Sequence, residues 1–436
     1  MSSIVLTDGQ QEAVERITAF AAPSQKTEKV LVLSGYAGTG KTTVMKTAVE
    51  KITEKANLVS KLRAAAGRSG NSSMNVGLTA TTNKAVEALE EATKMDAKTI
   101  HSYLGIRVAP IYGNKNNGGR TKYRLTTPSN YPQHSIVVID EASFIDQALL
   151  DILTSKKYMG SAKIILVGDP AQLAPVKGSG TPAFDQGFPT IHLTEVVRQG
   201  NDSQIIDAST AFRDCVRGEK YAPFLPNNKD VIYLEKAHFE RAILDEFARA
   251  EFKEKDAKIL SWTNARTKYY NDAVKESLEG TQELLPGDYA VCNNYFSPKG
   301  KRGGVPTDSV VLITKNGSPP DNGIHSKPAY NEITFRYKNE KYTGQMYHSE
   351  MEYQKYLNYL IDNNLSTQEV ERGKLDVRPM YASTINKSQG STYKKVFIDL
   401  NDINRCRQLE TANRLLYVAF SRASGQVILT GDVAYG

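Results

Sequence analysis

Gly35-Tyr36-Ala37-Gly38-Thr39-Gly40-Lys41-Thr42 lies between the apolar run Lys29–Gly35 and a helix-like stretch, Lys41–Ile52. It matches G-x-x-x-x-G-K-[ST] in full, in the strand–loop–helix context that the pattern requires. Glycines let backbone N–H groups face phosphate oxygens at the start of a helix, where the dipole favours anions. Lys41 is suited to the β/γ oxygens and Thr42 to a magnesium ion. The stretch therefore predicts an α/β fold with ATP and Mg²⁺ bound at a strand end.

Outward from this loop, short apolar runs alternate with helical patterns. Lys29–Gly35, Val76–Ala80, Ser135–Asp140 and Ala162–Gly168 read as buried strands, with helices such as Lys41–Ile52 and Asn83–Lys94 between them. That alternation predicts a parallel sheet covered on both faces. A second α/β set follows: strands at Val231–Leu234, Lys258–Trp262, Pro379–Ile385, Lys395–Leu400 and Gln426–Thr430, with helices at His238–Ala250, Asn264–Leu278 and Asn413–Ala423. From Tyr289 to Val377 the texture changes to short alternating strands, turns at Gly303-Gly304, Asn316-Gly317 and Pro319-Pro320, and one charged helix near Glu350–Arg372. This predicts a β-rich insertion. A smaller insertion, Arg107–Leu125, carries the polar turn Asn114–Gly119 and reads as a β-hairpin or a plain loop.

At 436 residues the chain calls for more than one domain. No apolar run approaches the roughly 20 residues of a membrane span. The beginning lacks a basic segment followed by an apolar one, so no signal peptide is expected and a cytoplasmic setting is. Cys215, Cys292 and Cys406 are isolated, which argues against a disulfide framework or structural zinc. A net charge of +7 permits a polyanionic partner without requiring one.

Two further strand ends carry chemistry. Ile136-Val137-Val138-Ile139 runs into Asp140-Glu141, adjacent carboxylates suited to holding Mg²⁺ (Asp140) and polarising an attacking water (Glu141). Leu166-Val167-Gly168-Asp169-Pro170-Ala171-Gln172 ends in Gln172, able to bond the γ-phosphate or that water. Asp169 and Pro170 also fit an ordinary turn. Arg198 and Arg422 are candidate cations against the γ-phosphate charge.

The order of these motifs resembles superfamily 1 helicases. Beside those already named it includes Thr79–Ala85, Thr99-Ile100-His101-Ser102, Trp262-Thr263-Asn264, Asn386-Lys387-Ser388-Gln389-Gly390 and Leu416–Ala423. The similarity is to the 5′-to-3′ branch, with its RecD-like enzymes and Dda-type phage helicases, and it spans nearly the whole chain. It implies two RecA-like P-loop domains, at 1–106 with 126–196 and at 197–288 with 378–436. It implies a pin at 107–125, with Tyr112 or Tyr123 stacking on a base pair, and an SH3-like insertion at 289–377. ATP would lie at the interface of the two domains, with single-stranded DNA across both.

Residue by residue, the resemblance makes Gln10 the adenine-recognising glutamine. Gly35, Ala37, Gly38, Thr39, Gly40, Lys41, Thr42, Thr43, Asp140 and Gly390 become ATP contacts, and Thr42 and Asp140 the metal ligands. The catalytic set is Lys41, Glu141, Gln172, Arg198 and Arg422. Thr82, Asn83, Lys84, His101 and Ser102 would contact DNA from the first domain, and Thr263, Asn264, Thr384, Lys387 and Ser388 from the second. The pattern has two departures: Thr81 stands where the family usually has Pro, and Asn386 where it usually has His. The activity implied is ATP-driven 5′-to-3′ translocation on single-stranded DNA with unwinding of the duplex ahead. An RNA helicase or remodeller, or a translocase that does not unwind, shares the same motor core. Partners would be single strands and single-to-double-strand junctions, with single-strand-binding or replication proteins beside them. A monomer with no membrane contact is expected, in a host cytoplasm if phage-encoded.

Overall fold

The computed structural model describes residues 5–22, 28–66, 74–111, 122–173, 180–195, 197, 203–216, 226–298, 304–318 and 327–432. Arg198, Tyr112, the turn Asn114–Gly119, Gly303 and Pro319-Pro320 lie outside them. The chain divides into two compact units. The first holds residues 1–225, 389–391 and 408–421, and the second holds 226–388, 392–407 and 422–436.

In the first unit the strands are β1 (Val30–Gly35), β2 (Val76–Ala80), β3 (Ala97–Thr99), β4 (Val108–Ile111), β5 (Lys122–Leu125), β6 (Ile136–Asp140), β7 (Lys163–Gly168) and β8 (Thr190–Leu193). Six of them form one sheet in the order β3-β2-β6-β7-β1-β8. Every pairing in it is parallel. Alternate residues of a strand point to opposite faces, and here both faces are buried. Leu31, Leu33, Ile136 and Val138 pack with Ala13, Val14, Val44 and Met45 of the helices Asp8–Ala21 and Lys41–Ala65. Val30, Val32, Val137 and Ile139 face the other way, onto Ile100, Leu104, Leu149 and Leu150. Two helix-covered layers are what β-branched runs without polar alternation demand.

β4 and β5 pair antiparallel, Val108 opposite Leu125. The P-loop helix runs on to Ala65, although its buried positions stop at Ile52. Beyond that point its apolar residues Leu58, Val59 and Leu62 are exposed.

The second unit contains β9 (Val231–Tyr233), β10 (Ala257–Ser261), β11 (Tyr289–Cys292), β12 (Val310–Gly317), β13 (Tyr330–Tyr337), β14 (Glu340–Tyr347), β15 (Val377–Pro379), β16 (Ala382–Thr384), β17 (Tyr393–Asp399) and β18 (Ala423–Thr430). A parallel sheet runs β16-β10-β17-β18-β9 around Phe239, Phe247, Ile259 and Phe397. An antiparallel sheet, β14-β13-β12-β11-β15, encloses its own core of Phe296, Ile313, Ile333 and Phe335. The sequence run Pro379–Ile385 is thus two strands in two sheets, with the change between Pro379 and Ala382. The charged segment Glu350–Arg372 is likewise two helices, Glu350–Asp362 and Gln368–Gly373. Asn364, at φ 55°, breaks them apart.

The helix Gln204–Asp214 packs in the first unit, as does Leu409–Ser421, with Phe212 and Phe420 edge to face at 5.1 Å between centroids.

Candidate functional site

Strand order gathers the motifs. β6, β7 and β1 are adjacent, so Asp140-Glu141, Gly168–Gln172 and the P-loop leave three neighbouring strands at the same edge. This carboxyl edge of a parallel sheet is where doubly wound folds bind ligands. β2 and β3 complete the edge on one side, and after them come Thr82-Asn83-Lys84 and His101-Ser102.

The P-loop is tightly determined. Gly40 has φ +81°, and a Cβ there would collide with the Gln10 amide. Gln10 is buried, its Nε2 donates to Thr39 O at 3.0 Å, and its Oε1 accepts from Thr7 N–H at 3.1 Å. Both ends of the expected adenine-reading amide are thereby tied to the loop and to the cap of the first helix. Lys41 Nζ donates to the carbonyls of Gly35 (2.6 Å) and Tyr36 (2.9 Å), and Thr39 Oγ1 also donates to Tyr36 O. The ammonium therefore stands over the loop whose N–H groups it would assist. Thr43 follows in the first turn of the helix.

In the acidic loop, the N–H of Glu141 donates to Asp140 Oδ1 at 2.8 Å. Burial pushes the Asp140 carboxyl above its usual range, opposed by that N–H and by the Lys41 charge. Glu141 has φ 54° and ψ 46°, left-handed backbone that is rare for a non-glycine residue and concentrated at functional sites. Thr81 donates its N–H to Asp140 O (3.2 Å) and its hydroxyl to Glu141 O (3.0 Å). A proline there could do neither. The departure from the family pattern thus joins the loop before Thr82-Asn83-Lys84 to the acidic pair. Thr42 and Asp140, one hydroxyl and one carboxylate, are a donor set that fits magnesium arriving with a nucleotide, because this ion keeps waters and phosphate oxygens as its other ligands.

The nucleic-acid candidates separate into offered and committed groups. Thr82 caps the helix Asn83–Thr93 through Ala85 N–H, and Gly390 (φ +77°) lies against the backbone of Lys84 and Ala85. Ser102 is exposed, and burial lowers the His101 pKa against the pull of Asp146. In the second unit β10 and β16 are neighbours, so Thr263-Asn264 and Thr384–Ser388 leave the same edge. Thr263 Oγ1 donates to Asp402 and caps the helix Asn264–Glu279, whereas Asn264 is exposed. Thr384 is buried and accepts from Lys387 N–H; Ser388 is fully buried and donates to Ile385 O. These hydroxyls shape the loops. Lys387 reaches out from them, with Asn293 as a partner and Asp308 at 3.4 Å. Arg422 is buried in the second unit, where its carbonyl accepts from Tyr393 N–H.

A family model described as an AAA domain matches residues 5–222, and one described as a UvrD-like helicase C-terminal domain matches 379–430. The chain belongs to the AAA-domain family. An uncharacterized protein of Acanthamoeba polyphaga mimivirus is 25% identical over 95% of this chain and 97% of that protein. The ATP-dependent RecD2 DNA helicase of Deinococcus radiodurans is 35% identical over 42% of this chain but only 21% of its own length. The chain therefore spans about a fifth of that relative. A crystal structure of the Pif1 helicase from Bacteroides, in complex with ADP-AlF3 and ssDNA, shares the fold: TM-score 0.50 and 16% identity, covering 99% of this chain and 93% of that one.

In this AAA-domain chain the motif reading missed several residues that hold the site. Tyr417, buried in the helix Leu409–Ser421, donates to Asp169 Oδ2 and accepts from the Ala37 N–H at 2.9 Å. Arg414, one turn earlier, donates to the carbonyls of Pro170 and Gln172. Gln172 is itself buried, its side-chain oxygen accepting from Gln389 Nε2 at 3.0 Å. Gln389 Oε1 is buried without a hydrogen-bond partner among the described residues. In the second unit, Asp402 takes the N–H groups of Trp262 and Thr263 as well as the Thr263 hydroxyl. Tyr417 was within a quoted motif, but a tyrosine in an apolar helix has no sequence signal to tell a polar bridge from core.

Proposed function

We propose that this chain is an ATP-hydrolysing DNA helicase that moves 5′ to 3′ along a single strand and separates the duplex ahead. One observation carries the reading. A single sheet edge presents the P-loop, Asp140-Glu141 and the Gln172 loop side by side, and continues without a gap into Thr82-Asn83-Lys84 and His101-Ser102. Phosphate chemistry and backbone-contacting donors thus share one rigid scaffold, tied by Thr81. Short donors and cations suit phosphate contacts, which position a strand without reading its sequence.

In this reading Lys41 and the P-loop amides hold the nucleotide phosphates, and Glu141 orients the water. Thr42 and Asp140 hold the magnesium, which neutralises developing phosphate charge when present. Arg198 and Arg422 supply further positive charge. The β4–β5 hairpin serves as the pin and the antiparallel sheet as the SH3-like brace. Asn264 and Lys387 grip the strand from the second unit. The chain works as a monomer in a cytoplasm, on single strands and junctions.

ATP hydrolysis measured with no nucleic acid, with a DNA oligomer and with an RNA oligomer of equal length tests the assignment. Stimulation by DNA above that by RNA is expected. Equal or greater stimulation by RNA would overturn the DNA assignment, and hydrolysis indifferent to either would overturn the motor.

A further inference from the structure

We infer that Tyr417 is a positioning residue for ATP hydrolysis, carrying the state of the P-loop to the Asp169–Gln172 loop. The inference rests on the ATPase reading above. Ala37 is the third residue of the P-loop, directly ahead of the Gly38-Thr39-Gly40-Lys41 cradle. Its N–H donates to the Tyr417 hydroxyl at 2.9 Å, and the hydroxyl in turn donates a hydrogen bond to Asp169 Oδ2. The other carboxylate oxygen of Asp169 accepts from Ala171 N–H at 2.9 Å, setting the turn that ends in Gln172. Ala37 is half-buried, and the links beyond it are buried: Tyr417 is 2% exposed, Asp169 0% and Gln172 3%.

Burial makes each link matter, because an unpaired polar group in such a place loses its water without compensation. Arg414 clamps the same turn from the same helix through the carbonyls of Pro170 and Gln172. One helix therefore holds both the loop that binds phosphate and the loop that presents Gln172. A shift of the Ala37 amide when phosphate binds or leaves moves the hydroxyl donor on which Asp169 depends. Tyr417 touches no reacting atom in this scheme; it acts through Asp169 and Gln172.

Tyr417→Phe removes one oxygen and keeps the ring that fills the core. In the full chain at saturating single-stranded DNA, kcat for ATP should fall about tenfold or more while KM stays within about twofold, the pattern of a lost transition-state interaction. The melting temperature should fall, because the buried Asp169 Oδ2 loses its donor, so kcat is measured well below it. Asp169→Asn should give a similar loss, and the double variant should be no worse than either single one, since both break one bond chain. Unchanged kcat in Tyr417→Phe would overturn the inference, whatever the melting temperature does, and so would losses that multiply in the double variant. A wild-type chain that hydrolyses no ATP would instead overturn the ATPase reading, and the inference with it.

Discussion

Glu141 holds a left-handed backbone that costs an ordinary residue on the order of 1–2 kcal/mol. The Thr81 hydroxyl, bonded to its carbonyl, helps to keep it there. Such strain is expected where a side chain must point at a reacting atom. Glu141→Gln should lower ATP turnover by at least roughly a hundredfold, the usual worth of a general base, and leave nucleotide binding in place. Full hydrolysis by this variant in a steady-state assay would remove Glu141 from its role. His101 gives a second prediction. Its pKa is depressed by burial, so its neutral form is the one the fold prefers. The stability linked to it should be fully present above about pH 6.5 and decline as pH falls from there through the lowered value. An NMR titration placing His101 above 6.5 in the free protein would contradict this. At this scale the sequence was legible where a motif is consecutive, as for the P-loop and Asp140-Glu141, which leave the same sheet edge. It was illegible where partners are far apart, as for Tyr417 and Asp169, 248 residues from one another.

Elements show a different limit. The P-loop helix expected over Lys41–Ile52 continues to Ala65, while its buried positions Val44, Met45, Ala48, Val49 and Ile52 end at Ile52. Leu58 and Leu62 on the continuation are exposed, so helicity outlasts burial there. The strands β3 and β8 are three and four residues long, too short for a period to register. Turns carried more than expected. Asp402 fixes the Trp262-Thr263 corner by accepting two backbone N–H groups and a hydroxyl while only 3% exposed. Asp402→Ala should destabilise the fold by about 1–3 kcal/mol, since it takes the acceptor from three part-buried donors. Chemical denaturation measures this, and a loss below about 0.5 kcal/mol, the range of ordinary surface substitutions, would show the corner is held by something else.

At the scale of the whole molecule, the two parallel sheets and the antiparallel one follow from alternation, β-branched runs and turn texture. The grouping of chain segments into compact units does not. Leu409–Ser421 reads as part of the second α/β set from its place in the chain, yet it groups with the first unit through Phe420, Arg414 and Tyr417. Long-range packing of this kind leaves no local pattern. In the proposed function Lys387 acts through its charge on an extended strand, so its prediction belongs to this scale. Lys387→Ala should weaken single-strand binding and lower the salt dependence by about one released counterion. An unchanged slope of affinity against salt would exclude a phosphate contact.

The central claim is directional motion driven by ATP. Strand displacement on otherwise identical duplexes bearing either a 5′ or a 3′ single-stranded overhang tests it most directly. Displacement from the 5′ overhang alone, dependent on ATP, is the predicted result; displacement from the 3′ overhang alone, or from neither, would contradict it.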